Sequence, residues 1–155
     1  MNAVPEWCAQ YVGIPFADKG RTRDGCDCWG LVRLVLAEQF GIELPDYADA
    51  YSDARDHASV AAAVQAGLQA GWATIDRVHE TPRCGDLLVI NVATRPWHCG
   101  LMVTSERFLH CPTQQARDSG REIGSSCVER LDSAMFRNRI EGIYRHVSMQ
   151  QREAA

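Results

Sequence analysis

Apolar residues recur over residues 29–40 with the spacing of a helix. Leu31 and Val35 share one face, and Val32, Leu36 and Phe40 form an adjoining i, i+4 row. Gly41 follows at the position where helices commonly stop. The same period returns over residues 58–70, with the stripe Val60, Val64, Leu68 and a stop at Gly71. Beyond Gly85 the pattern changes. Residues 86–91, 97–103 and 106–111 are short, apolar and bounded by Gly85, Pro96 and the turn at Thr104-Ser105, so they read as strands. Two more strands are expected near residues 126–131 and 141–147. Residues 5–13 read as a short opening helix or turn anchored by Trp7, Tyr11 and Val12. Residues 13–27 and 112–122 read as polar loops, and residues 46–56 as an acidic, tyrosine-bearing connector. Helices first and an antiparallel sheet afterwards make an α+β domain.

Composition narrows this only a little. A chain of 155 residues with 46% hydrophobic content and no repeat or linker is expected to form a single domain over residues 1–155. A net charge of −4 without a basic run argues against nucleic acid as a partner. No stretch reaches the roughly 18–20 apolar residues that span a bilayer, so stable membrane insertion is not expected. The opening Met1-Asn2-Ala3-Val4-Pro5-Glu6 has neither the basic nor the apolar region of a signal peptide, so synthesis and retention in a cytoplasm is expected unless something else carries the chain out.

The cysteines carry the chemistry. There are seven, at 8, 26, 28, 84, 99, 111 and 127, an odd number that makes a complete disulfide framework a poor reading. A zinc site drawn from Cys26, Cys28, Cys84, Cys99, Cys111, His98 and His110 is a rival. Structural zinc usually takes paired Cys-x2–4-Cys knuckles, which are lacking here, and Cys26-x-Cys28 is too tight, so no metal ligand is assigned. Cys28 stands apart from the others. Asp24-Gly25 signals a turn, and Asp27 is a good N-cap, its carboxylate placed to accept from the free N–H groups of the first turn. Cys28 then sits at the positive end of the helix dipole, where a thiolate is favoured over a thiol. A hairpin centred near Thr104 brings His98 and His110 onto neighbouring strands, on one face if the register is even. Nucleophile, base and orienter then stand in the order a thiol hydrolase needs. Cys8, Cys84, Cys99, Cys111 and Cys127 read as small packed thiols, and His57, His79 and His146 as surface residues.

Four ordered blocks resemble the NlpC/P60 cysteine peptidases, and more closely the version carried by tailed phages and gene-transfer particles. They are Gly13-Ile14-Pro15-Phe16; Asp24-Gly25-Cys26-Asp27-Cys28-Trp29-Gly30-Leu31-Val32-Arg33, running on to Phe40-Gly41-Ile42-Glu43-Leu44-Pro45; Cys84-Gly85-Asp86-Leu87-Leu88-Val89 with Trp97-His98-Cys99-Gly100-Leu101-Met102; and Phe108-Leu109-His110. The ending Ile140-Glu141-Gly142-Ile143-Tyr144-Arg145 is similar as well.

The resemblance implies a papain-like core, N-terminal helices packed on an antiparallel sheet, and catalysis by Cys28, His98 and His110 with no cofactor. It also implies hydrolysis of a peptidoglycan stem peptide, typically between D-γ-glutamate and a diamino acid such as meso-diaminopimelate. Phage tail proteins become expected partners, and the cell wall or periplasm, reached as part of a virion or exported particle, becomes the place of action. Asp27, Trp29 and Phe16 are candidate substrate-binding residues. Asp27 either caps the helix, holds a substrate amine, or does both. Phe16 stands where many relatives have tyrosine, keeping the ring and losing a hydroxyl; Trp29 replaces a common serine and is expected to narrow or cover the pocket. Two other readings stay open: a thiol amidase or deamidase on the same scaffold, and a mainly structural tail-assembly protein.

Overall fold

The computed structural model describes residues 3–51, 56–93 and 95–154. A 3₁₀ turn (Glu6–Tyr11) is followed by a small ribbon, β1 (Arg21–Thr22) and β2 (Gly25–Cys26), which delivers the chain to α1 (Cys28–Phe40). A second 3₁₀ turn (Ala48–Ala50), α2 (His57–Leu68) and β3 (Trp72–Thr74) lead to β4 (Leu87–Val92), β5 (Arg95–Met102) and β6 (Arg107–His110). The ribbon β7 (Gln114–Gln115) and β8 (Glu122–Ile123), then β9 (Cys127–Arg130), β10 (Ile140–His146) and α3 (Val147–Ala154) complete the order. Six strands make one antiparallel sheet in the order β3-β10-β4-β5-β6-β9. Mixed helix and antiparallel sheet is the expected α+β class.

Helix α1 has the ends its sequence implies. Asp27 Oδ1 accepts from Gly30 N at 2.7 Å, and Gly41 stops the helix with φ +67°, its N–H turned back to Ala37. Leu31, Val32, Val35 and Leu36 are fully buried against Leu87, Val89, Cys99, Leu101, Leu109 and Cys111. Truncating any of these leucines to alanine costs about 2–5 kcal/mol. The alternate residues Leu88, Ile90, Met102 and Phe108 turn to the other side together with Ile143 of β10, where they pack with Leu131 and Phe136. Burial on both sides explains why residues 87–90 form an unbroken apolar run without alternation. At the foot of β4, Asp86 and Arg145 form a buried two-pronged pair, Nε–Oδ1 2.8 Å and Nη2–Oδ2 2.7 Å, which ties β10 to the start of β4.

Several expectations need correction. The second helix begins at His57, capped by Asp56, and ends before Gly71. Strand β3 and the two ribbons are too short to read as elements, and α3, with only Val147 and Met149 as large apolar residues, carries no apolar stripe to announce it. Val12 is half exposed and anchors little, whereas Tyr11 is fully buried. Of the 46–56 connector, residues 52–55 lie outside the described residues.

Candidate active site

The end of α1 is built by a tight local fold. Gly30 lies so close to the β1 turn that a Cβ there would meet Gly20 O at 1.9 Å. This contact lays the Gly20-Arg21 backbone across the first turn of the helix. Arg21 Nη1 then reaches Asp27 Oδ1 at 2.7 Å, and the Tyr51 hydroxyl donates to Asp27 Oδ2 at 2.5 Å. Asp27 is almost wholly buried, with both oxygens engaged, so the cap is formed and reinforced by an ion pair. A tyrosine hydroxyl does enter the site, from Tyr51 rather than position 16.

Cys28 follows at the first position of the helix, partly accessible and lining a cleft with Phe16, Trp29, Trp97, His98 and Cys99. Its thiol is pushed down to about 5, chiefly by a hydrogen bond from the Cys99 thiol and then by His98, against the opposing effects of burial and the Asp27 charge. Cys99 moves the opposite way, well above the thiol range, and so remains the protonated donor. Cys99 is therefore more than the packing thiol that its sequence context suggests. Cys26, two residues before Cys28, is fully buried.

Strand register assembles the other wall. Leu101 pairs with Leu109 and Met102 with Phe108, which sets Gly100 beside His110 and puts His98 and His110 on one face. Gly100 lacks the Cβ that would sit 3.1 Å from the Cβ of His110, so the histidine leans into that space. His98 Nε2 lies 2.8 Å from His110 Nδ1, and both rings are buried. Since Nε2 of His98 is occupied by His110, its Nδ1 is the nitrogen left for Cys28. Burial, assisted by the charge on His98, pushes His110 down to about 3 and keeps it neutral.

His110 Nε2 in turn bonds to Glu129 Oε2 on the edge strand β9. Glu129 is absent from the expected site. Its only signal in the sequence is an acid within the predicted strand 126–131, since nothing local tells which face that strand presents. The ligand atoms of His110, Cys127 and Glu129 lie within 4.8 Å of one another, a set unlike the cysteine-rich convergence considered from sequence. Two of these atoms, on His110 and Glu129, are already joined by their hydrogen bond.

Aromatic groups close the cleft. Trp29 Nε1 donates to Pro45 O at 3.0 Å, and its ring meets Tyr47 at 5.6 Å, which ties the connector to the helix start. His57 is not a surface residue: it stacks on Trp97 at 4.1 Å, with ring planes 7° apart. His146 also departs from expectation, half-buried and edge-on to Trp72 at 5.0 Å. His79 is exposed beside Asp76. Cys8 and Cys111 are buried as expected, while Cys84 and Cys127 are only partly so; all seven thiols are free. Chemically the arrangement offers a thiolate at a helix start, an imidazole to take and return its proton, and a fixed partner for that imidazole.

Residues 13–145 match the NlpC/P60 family model. Tail tip assembly protein K of Escherichia phage N15 is 26% identical over 98 residues, covering 63% of this chain and 39% of that protein. Murein DD-endopeptidase MepS/Murein LD-carboxypeptidase of Escherichia coli K12 is 27% identical over 112 residues, 72% of this chain and 50% of that one. The chain thus spans half or less of the length of these curated relatives. Among solved structures, the NlpC/p60 domain of peptidoglycan hydrolase SagA superposes with a TM-score of 0.54 at 17% identity, covering 88% of this chain and 91% of that domain. No helix among the described residues is long and apolar enough to cross a membrane.

Proposed function

The chain belongs to the NlpC/P60 family, and from that premise we propose that it is a thiol-dependent hydrolase of peptidoglycan stem peptides, cutting the D-γ-glutamyl–diaminopimelate amide. The observation that carries this reading is the meeting of Cys28, at the start of α1, with the His98–His110 pair.

In this mechanism His98 Nδ1 takes the Cys28 proton and the helix start stabilises the thiolate. Sulfur attacks the amide carbonyl, and the backbone N–H of Cys28, which has no intrahelical acceptor, faces the developing oxyanion. His98 returns the proton to the leaving amine. Water, with its proton passed to His98, then hydrolyses the thioester and frees the acid. Phe16 and Trp29 line the cleft beside Cys28 and are the apolar surfaces offered to substrate. Asp27, committed to Arg21 and Tyr51, offers substrate a polar group only through this cluster.

The likeness to a phage tail tip assembly protein supports delivery as part of a tail or exported particle, with tail proteins as partners and the wall as the place of action. The test is incubation with L-Ala-γ-D-Glu-meso-diaminopimelate and mass spectrometry. Release of free diaminopimelate by the wild type but not by Cys28→Ala supports the reading. An intact tripeptide, with a protein glutamine deamidated instead, would move the chain to the amidase class; no turnover of either would favour a structural role.

A further inference from the structure

Resting on the thiol-hydrolase reading above, we propose that Glu129 is a positioning residue that sets the tautomer of His110 and, through it, makes Nδ1 of His98 the base for Cys28. The argument follows the protons. His110 is neutral and therefore carries a single N–H. A carboxylate can only accept, so the bond that Nε2 makes to Glu129 Oε2 fixes that hydrogen on Nε2. Nδ1 of His110 is then a lone pair, which requires the hydrogen at the 2.8 Å contact to belong to His98 Nε2. Neutral His98 thus has an unprotonated Nδ1 and can accept from Cys28. When it becomes an imidazolium, its Nε2–H still meets an acceptor.

Without Glu129 the reverse order costs nothing at the sheet edge. His110 can hold its hydrogen on Nδ1 and donate to His98 Nε2. Neutral His98 must then be protonated at Nδ1, where the base is needed, and its cation would bring two N–H groups face to face. The rest of the surroundings cannot set the choice. His110 is otherwise walled by Phe108 at 4.7 Å and Phe136 at 5.4 Å, with Cys127 opposite it on β9, its thiol pushed up to about 11 by burial and the Glu129 charge. The other polar groups at Cys28, Asp27 and Cys99, act on the sulfur directly. Glu129 itself stays about one-third exposed, so the side chain can be changed without opening the core.

The experiment measures how the rate of Cys28 alkylation by iodoacetamide varies with pH, in wild type, Glu129→Ala, Glu129→Gln, His110→Asn and the double variant His110→Asn/Glu129→Ala. Glu129→Ala should raise the Cys28 midpoint by about one pH unit, a tenfold weaker thiolate–imidazolium pair. Glu129→Gln, whose amide oxygen accepts from the same Nε2–H, should recover most of that shift. The Glu129→Ala effect should vanish in the His110→Asn background, because the relay runs only through His110. An unmoved midpoint in Glu129→Ala, a glutamine variant no better than alanine, or a shift that persists without His110 would each overturn the proposal. Stem-peptide turnover by the same variants should fall in kcat with little change in KM. Wild type that cleaves no stem peptide would defeat the functional reading, while the alkylation midpoints would still decide the role of Glu129.

Discussion

The two walls of the cleft are made in different ways. The helix wall is local: Gly20, Arg21, Asp27, Cys28 and Gly30 lie within eleven consecutive residues, and the contacts that shape it are caps and a tight turn. The sheet wall is not: His98, His110 and Glu129 sit on three strands and meet only when those strands pair in one register. The difference teaches where precision comes from. A helix end imposes its electrostatics on whatever residue stands there. A relay of imidazoles has to be placed atom by atom, since a one-residue slip would turn each histidine to the opposite face.

The largest effects should separate nucleophile from neighbour. Cys28→Ala should abolish hydrolysis and leave the melting temperature near that of wild type, whereas Cys26→Ala should keep most activity. Assaying both variants on one stem peptide checks this, and the opposite ranking would put the nucleophile on the wrong residue.

On the sheet wall the losses should be graded. His98→Ala should lower kcat/KM by about 10²–10⁴-fold, the usual worth of general acid–base help. His110→Ala should cost less, because His98 remains but can adopt the wrong tautomer. His110→Asn should cost less again, since its amide oxygen still accepts from His98 Nε2–H. A His110→Ala loss as deep as that of His98→Ala would mean that the two histidines exchange roles.

Smaller effects come from packing, and they compare the walls directly. Gly30→Ala would drive a methyl into Gly20 O at 1.9 Å, while Gly100→Ala would meet Leu109 O at 2.9 Å. Overpacking of this sort costs about 1–3 kcal/mol. Thermal melts should therefore show Gly30→Ala as the more destabilised of the two, and a larger drop for Gly100→Ala would contradict the tighter fit assigned to the helix wall.

The same contrast decides what could be read from the sequence. Helix α1, its Asp27 cap and its Gly41 stop are written in neighbouring residues, and the five long strands announce themselves by apolar runs and their breakers. The meeting of His98 with His110 is legible on the condition of an even hairpin register, which the pairing of Leu101 with Leu109 supplies. Glu129 carries no local signal because the face presented by β9 depends on pairing with β6 through a long intervening loop. Cys99 reads from sequence as a packing thiol because its contact with Cys28 crosses from strand to helix. Tyr51 and His57 lie near a connector whose path no local pattern dictates, so nothing in the neighbouring residues signals their approach to Asp27 and Trp97. Strand β3 is three residues long and owes its pairing to β10 rather than to its own sequence.

The central claim is that Cys28 is a thiolate held by the helix start, Cys99 and His98. A depressed thiol pKa means that the reactive form persists as pH falls, and is lost only near the value of about 5 assigned to this group. Cys84 and Cys127, pushed up to about 11 by burial, should react appreciably only in alkali. The direct measurement is the rate of iodoacetamide labelling at each of the seven cysteines, resolved by peptide mass spectrometry, from pH 4.5 to 9. Cys28 should label fastest throughout, stay fast at pH 6 and fade toward pH 5. Uniform labelling of the thiols, or labelling of Cys28 only above pH 8, would contradict the account.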